Sequence, residues 1–251
     1  MNKRLLLLAA VLLCLSLPIL KAQKWSCAAQ IGTTAYSGDV GEHLNWQPNI
    51  NRTAFGASLA YNATDFLTVR LNVLTGQLSS SDLENTTTPW RKQRAFSFKT
   101  PFVESTILTE FDVYRAIIGD KYTEPPAFSV HLLVGIGVNR IDPMVNFNEP
   151  NPISEKINLD KNASFNRHQI VIPYGVIAKW RINKTSAIRL EVSMRKTFSD
   201  YFDGVSQAAS AKNKDAYIVG SIGWEQTLSW GLTGWERIRF SSGSTTYCPK
   251  F

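Results

Sequence analysis

The residues of this 251-residue chain whose types and spacing could do chemistry are few. Asp200 and Asp203, followed by Ser206, place oxygen donors at an interval that superficially resembles a calcium loop. The glycine and closing glutamate that such a loop needs in register are absent. The same residues suit turn capping, because Asp and Ser side chains accept from backbone N–H groups just ahead of them, with Tyr201 and Phe202 packing on a rim. Glu110 and Asp112 stand two apart, which on a strand puts both carboxylates on one face. Paired carboxylates can serve acid–base hydrolysis, and they can equally neutralise arginines. His131 falls on a strand face as an interior histidine. Gly135-Ile136-Gly137 lies within a strand-like run, whereas a phosphate loop needs a strand-to-helix turn. Cys27 and Cys248 lie near the two ends of the chain and could pair in an oxidising compartment, or remain separate thiols. There is no CxxC, and His43, His131 and His168 are scattered. No nucleophile and base can be brought together from spacing, so neither catalysis nor a metal or cofactor is expected.

The elements that must position these residues read as strands. In residues 187–198 Ile188, Leu190, Val192 and Met194 share one parity, and Arg189, Glu191, Ser193 and Arg195 the other. Side chains alternate faces along a strand, so one face is apolar and the other charged. Seven more runs follow the same period: 27–37, 52–62, 66–74, 102–115, 127–140, 168–181 and 215–228. Pro173 removes a ladder donor within its run and predicts a bulge. Three connections are short, at Ala63-Thr64-Asp65, at Asn183-Lys184-Thr185 and over roughly ten residues around Gly119-Asp120 and Pro125-Pro126. Four are long: 38–51, 76–101, 141–167 and 199–214. Strict alternation puts every long loop at one end of an up-and-down barrel.

One parity of every run lacks Lys, Arg, Asp and Glu near its middle, where a cation facing lipid would cost about 2–4 kcal/mol. The other parity carries Arg70, Glu104, Glu110, Asp112, Lys179, Arg189, Glu191, Arg195 and Glu225. Both signs are present and can pair across a lumen that side chains fill. Phe66, Tyr174, Trp180, Phe198 and Trp224 suit interfacial girdles. A soluble ligand-binding barrel would want the reverse, an apolar interior. The fold class expected is therefore all-β, an eight-stranded antiparallel up-and-down transmembrane β-barrel with a polar, plugged lumen, in contact with outer-membrane lipid.

The chain's ends fit export. Lys3 and Arg4 precede an apolar run of roughly 13 residues, broken by Pro18, which is short of the about 20 that a helical span needs. Residues 1–22 read as a signal peptide, 23–230 as the barrel and 231–251 as a periplasmic tail, with both termini in the periplasm. The formal charge is +7. Without Lys3, Arg4 and Lys21 it is about +4, too small a bias for nucleic acid.

After the seventh run comes Arg195-Lys196-Thr197-Phe198-Ser199-Asp200-Tyr201-Phe202-Asp203-Gly204-Val205-Ser206. Lys214-Asp215-Ala216-Tyr217 follows, Ile172-Pro173-Tyr174-Gly175 lies upstream, and the chain ends Cys248-Pro249-Lys250-Phe251. These segments resemble the PorG-like family of Bacteroidota outer-membrane β-barrels, with Arg195, Lys196, Thr197, Asp200, Tyr201, Asp203, Val205 and Ser206 carrying the motif. Ser199 and Gly204 stand where Thr and Asp are commoner. The resemblance implies a non-enzymatic anchoring component of a type IX-like secretion machine, in contact with periplasmic ring or lipoprotein subunits. A small pore, receptor or adhesin acting through the long loops is the alternative.

Overall fold

A computed structural model describes residues 25–41, 52–84, 89–118, 126–148, 151, 153–209 and 215–228. Strands dominate it: β1 (Trp25–Ser37), β2 (Thr53–Asn62), β3 (Leu67–Ser81), β4 (Ser97–Asp112), β5 (Phe128–Ile141), a short β6 (Met144–Asn146), β7 (His168–Arg181), β8 (Ser186–Thr197) and β9 (Ala216–Thr227). Among the described residues three α-helices lie between them: α1 (Pro89–Arg94), α2 (Val113–Ile118) and α3 (Ser154–Lys161). All pairings are antiparallel, and each of the eight long strands pairs with its neighbours in sequence order, β6 aside. β1 pairs with β9 from Ser26↔Thr227 to Ser37↔Ala216, closing the sheet into an eight-stranded barrel. Closure gives each of the eight long strands a partner on both sides, which a backbone surrounded by lipid requires.

The period-2 pattern decides which side chains face out. Along β5, Leu132, Val134, Ile136 and Val138 are about half exposed, while His131, Leu133 and Asn139 are buried. β8 alternates likewise, with Leu190 and Val192 outside and Arg189, Glu191, Ser193 and Arg195 inside. No helix among the described residues is long and apolar enough to cross a membrane, which says nothing of crossing by strands.

The strands depart from expectation at their ends. β3 continues to Ser81 and β4 begins at Ser97, so much of 76–101 is a hairpin standing above the barrel, with Ser81 paired to Ser97. The remainder holds a 3-10 turn at Asp82–Glu84 and α1. β6 pairs with the projecting part of β4. At the other end β4 stops at Asp112, and Val113, expected in the strand, opens α2. The Asp112 carboxylate accepts from the Arg115 N–H at 3.1 Å and caps that helix. The β4–β5 connection is therefore longer than expected. Pro173 makes no bulge either. The β5–β7 register is the same on both sides of it, from Val134↔Tyr174 to Gly137↔Val171. The missing donor interrupts the ladder without inserting a residue.

Candidate functional site

The barrel interior has two regions of opposite character. In the half nearer the short turns, four cations meet four carboxylates. Arg70 Nε lies 2.8 Å from Glu110 Oε1, and its Nη2 lies 2.8 Å from Glu191 Oε2. Lys179 Nζ contacts Glu110 at 2.8 Å and Glu225 at 3.0 Å. Arg189 reaches Glu110 and Glu191, each at 3.2 Å. Higher up, Arg195 lies 3.4 Å from Glu104 and 3.7 Å from Glu191. Arg70, Glu104, Glu110, Glu191, Arg189 and Arg195 are essentially inaccessible to water. Each comes from a different register of β3, β4 or β8, so only closure of the barrel brings them together. Asp112 stands apart near the short-turn mouth, 3.9 Å from Arg115 and 3.8 Å from His131.

A polar filling was expected throughout, but the half nearer the long loops is an apolar core. Tyr36, Leu74, Leu78, Phe98, Phe102, Ile141, Tyr217 and Val219 project inward and pack with Phe96, Ile157, Phe202, Val205 and Ala208 from the loops. Residues 200–206 are the plug. Phe202 is buried at the centre, its ring 5.1 Å from that of Tyr217. The Thr100 hydroxyl donates to its carbonyl at 2.9 Å, and its N–H donates to Asp215 Oδ2 at 2.9 Å. Phe202 was expected on the rim; it lies inside, where the cluster of Tyr36, Leu74, Phe98, Phe102 and Tyr217 takes its ring out of water. Tyr201 does lie nearer the surface, stacked on Phe165 at 5.3 Å. Gly204 has φ +76°, and a Cβ there would stand 2.5 Å from Val145, so the turn suits glycine alone. Asp160 of α3 accepts the Ser206, Gln207 and Ala208 N–H groups at 2.9–3.3 Å and ties the plug to the next loop.

The two regions join through Tyr217, whose hydroxyl donates to Glu104 and accepts from Asn139 at 2.7 Å. Of the motif residues, Arg195 and Thr197 point inward from β8, and Lys196 points out. The Asp200 carboxylate accepts from Ser206 Oγ at 2.6 Å. Asp203 accepts from the Tyr36 hydroxyl at 2.7 Å and from the Val205 N–H at 2.9 Å. Tyr36 also contacts Asp215. This Tyr36–Asp203–Asp215 junction was not anticipated, because it unites β1 with two points around the last long loop. The faint signal was an Asp just before a strand whose first inward residue is Tyr217.

One hydroxyl cannot donate to two carboxylates, so the junction is satisfied when one carboxyl keeps its proton. Burial pushes Asp215 up to about 7, and burial with the nearby Asp215 charge holds Asp203 well above the usual carboxylate range. Burial likewise raises Asp200, to about 6. The fold therefore binds protons that the unfolded chain releases near pH 4. Stability of the plug is expected to fall as pH rises from about 4 to 7. Hydrogen exchange at the Phe202 and Val205 amides, corrected for intrinsic rates, should show greater protection at pH 5.5 than at 8.5, and Asp215→Asn should flatten that difference.

Among the described residues, His131 is the histidine that meets both a hydroxyl and a carboxylate. Ser129 Oγ lies 2.9 Å from His131 Nε2, but Asp112 approaches the same nitrogen, at 3.8 Å. Nδ1 is buried without a hydrogen-bond partner. A relay needs the acid on one ring nitrogen and the hydroxyl on the other. Among the described residues no group of three His, Cys, Asp or Glu could hold a metal ion. Cys27 is exposed on the outward parity of β1. Cys248, residues 1–22 and the tail 231–251 lie outside the described residues.

A family profile described as "Domain of unknown function (DUF6089)" matches residues 3–230. No curated protein matches. Among solved structures, Neisserial surface protein A is 10% identical, with 81% of this chain and 97% of that one covered and a TM-score of 0.43. Ail, the attachment invasion locus protein of Yersinia pestis, is 10% identical over 81% and 98%, with a TM-score of 0.41. A major outer membrane protein from Thermus thermophilus is 11% identical over 80% and 98%, with a TM-score of 0.43. The likeness is one of fold.

Proposed function

We propose that this chain, which belongs to the DUF6089 family, is an outer-membrane barrel that anchors other proteins and conducts no solute. The outward faces support membrane residence. Large apolar side chains stand half exposed on all eight long strands, far beyond what a soluble surface carries without a partner. The observation that carries the anchoring role is the sealed lumen. Paired charges fill one half and the loop core centred on Phe202 closes the other, which leaves surfaces as the means of acting.

The Arg195–Ser206 motif supports a narrower reading: a PorG-like, type IX-associated barrel of Bacteroidota, with residues 1–22 a signal peptide and long loops outside. Its periplasmic turns and tail 231–251 would meet secretion-ring or lipoprotein subunits. α2 supports that surface, since Ile117 and Tyr114 project from it, exposed, at the short-turn end. The alternative, a receptor or adhesin acting through the long loops, draws on Trp90 and Leu83, exposed on the β3–β4 hairpin.

Affinity isolation of the full chain from native membranes is expected to bring periplasmic subunits with it, and removal of 231–251 should release them. Retention of every subunit after truncation would remove the tail from the interface. Isolation of the intact chain alone, with stepwise conductance in planar bilayers, would refute the anchoring role.

A further inference from the structure

Outward strand positions are almost free of charge, and the exceptions are not scattered. Among the described residues, Lys99 of β4, Arg140 of β5 and Lys196 of β8 are the only ionised side chains at outward strand positions; His168 of β7 stands among them. All are basic, all are exposed, and all lie toward the long-loop end of neighbouring strands. The remaining strands, β1, β2, β3 and β9, present none. Arg140 lies directly opposite His168 across the β5–β7 ladder. Lys99 is opposite Met144 and Lys196 opposite Ile172. Strands of such a barrel incline at roughly 40°, so these offsets in register largely cancel and the four residues fall in a band about 10 Å tall. None of Lys99, Arg140 or Lys196 makes an ion pair among the described residues.

What surrounds the arc identifies what it would hold. Below it, Val138, Ile170, Val192 and Ile172 form an apolar wall facing outward. Above it, Lys161, Asn162, Ser164, Phe165 and Arg167 line an open recess of about 310 Å³. At the join, Asp142 is 3.1 Å from Arg167, which neutralises it. Acyl chains below, phosphate at the level of the arc and sugar above would match this sequence of surfaces. Cations at such a level attract anionic headgroups, and long stems reach the remaining few ångströms.

We propose that the β4–β5–β7–β8 face at the long-loop rim is a binding site for a phosphorylated glycolipid of the surrounding leaflet. It rests on the outer-membrane reading with long loops outside. The site makes the barrel sided in the membrane plane: one arc holds ordered anionic lipid, and the β9–β1–β2–β3 arc does not.

The test uses the full chain in neutral-lipid nanodiscs, titrated with bis-phosphorylated lipid A and with the same lipid stripped of phosphate. The expected result is binding of the phosphorylated form, about a hundredfold weaker for the stripped form and for the triple variant Lys99→Gln, Arg140→Gln, Lys196→Gln. Lys184→Gln, in the opposite turn, should leave binding unchanged. Equal binding of the two lipids, an unaffected triple variant, or displacement by millimolar inorganic phosphate would each overturn the site, the last assigning it to small anions. Heat-modifiable mobility separates the premises. If the triple variant inserts like the parent and keeps its lipid, the site fails and the membrane barrel stands. If the parent does not insert, the membrane reading itself fails.

Discussion

Glu110→Gln is expected to destabilise the barrel by about 3–5 kcal/mol, the cost of leaving buried charge unpaired. Glu110 contacts three cations in the lumen, Arg70, Lys179 and Arg189. The amide keeps the volume and removes the charge, so three cations share fewer counter-charges with no water to replace it. Urea titration in detergent or bilayer, followed by the shift between folded and unfolded bands, measures the effect. Adding Arg70→Met to Glu110→Gln should restore part of the loss, because the pair then leaves together. Independent losses for the two changes would show that the network does not act as a unit. Ion pairing here serves to fill a lumen with mutually specified partners more than to add stability, since apolar residues of the same shape could fill it as well.

Phe202→Ala should cost about 3–5 kcal/mol of local stability, the usual range for deleting a buried aromatic ring. The ring is wholly buried against Tyr217, and the backbone on either side is held by Thr100 and Asp215. The cavity left would open toward the long loops. The expected sign is proteolytic cleavage within 199–214 at protease levels that spare the parent, with the barrel band itself unmoved. Conductance should stay closed, because the charge network below is a second seal. A conducting Phe202→Ala barrel would mean that the plug alone blocks the lumen, and that Arg195 and Glu104 yield once Tyr217 loses its neighbour. Combining Phe202→Ala with Glu110→Gln distinguishes these cases.

The barrel itself was legible because its determinants are local. Alternation along 187–198 or 168–181 requires only that a strand be covered differently on its two faces, and the observed β8 and β7 agree within one residue. Strand ends were less legible. Past Thr75 the outward parity of β3 turns polar at Gln77, Ser79 and Ser81, and Ser79 is buried like its neighbours Leu78 and Ser80, so the apolar alternation fades while the backbone pairing continues. Val113 left its strand because the Asp112 carboxylate offered a helix cap.

The sequence by itself determined the strand count, the parity of Arg70, Glu110, Arg189, Glu191 and Arg195, and the end at which the long loops gather. These follow from a two-residue period and from the cost of a charge in lipid, which any single strand expresses. Only the tertiary structure decided which charges meet, because pairing between β3, β4 and β8 depends on register around the whole closed sheet. It also decided that residues 200–206 turn inward as a plug. That turn answers to an apolar space built by Leu74, Phe98, Phe102 and Tyr217 from three strands, β3, β4 and β9, and no segment of the chain contains that space alone.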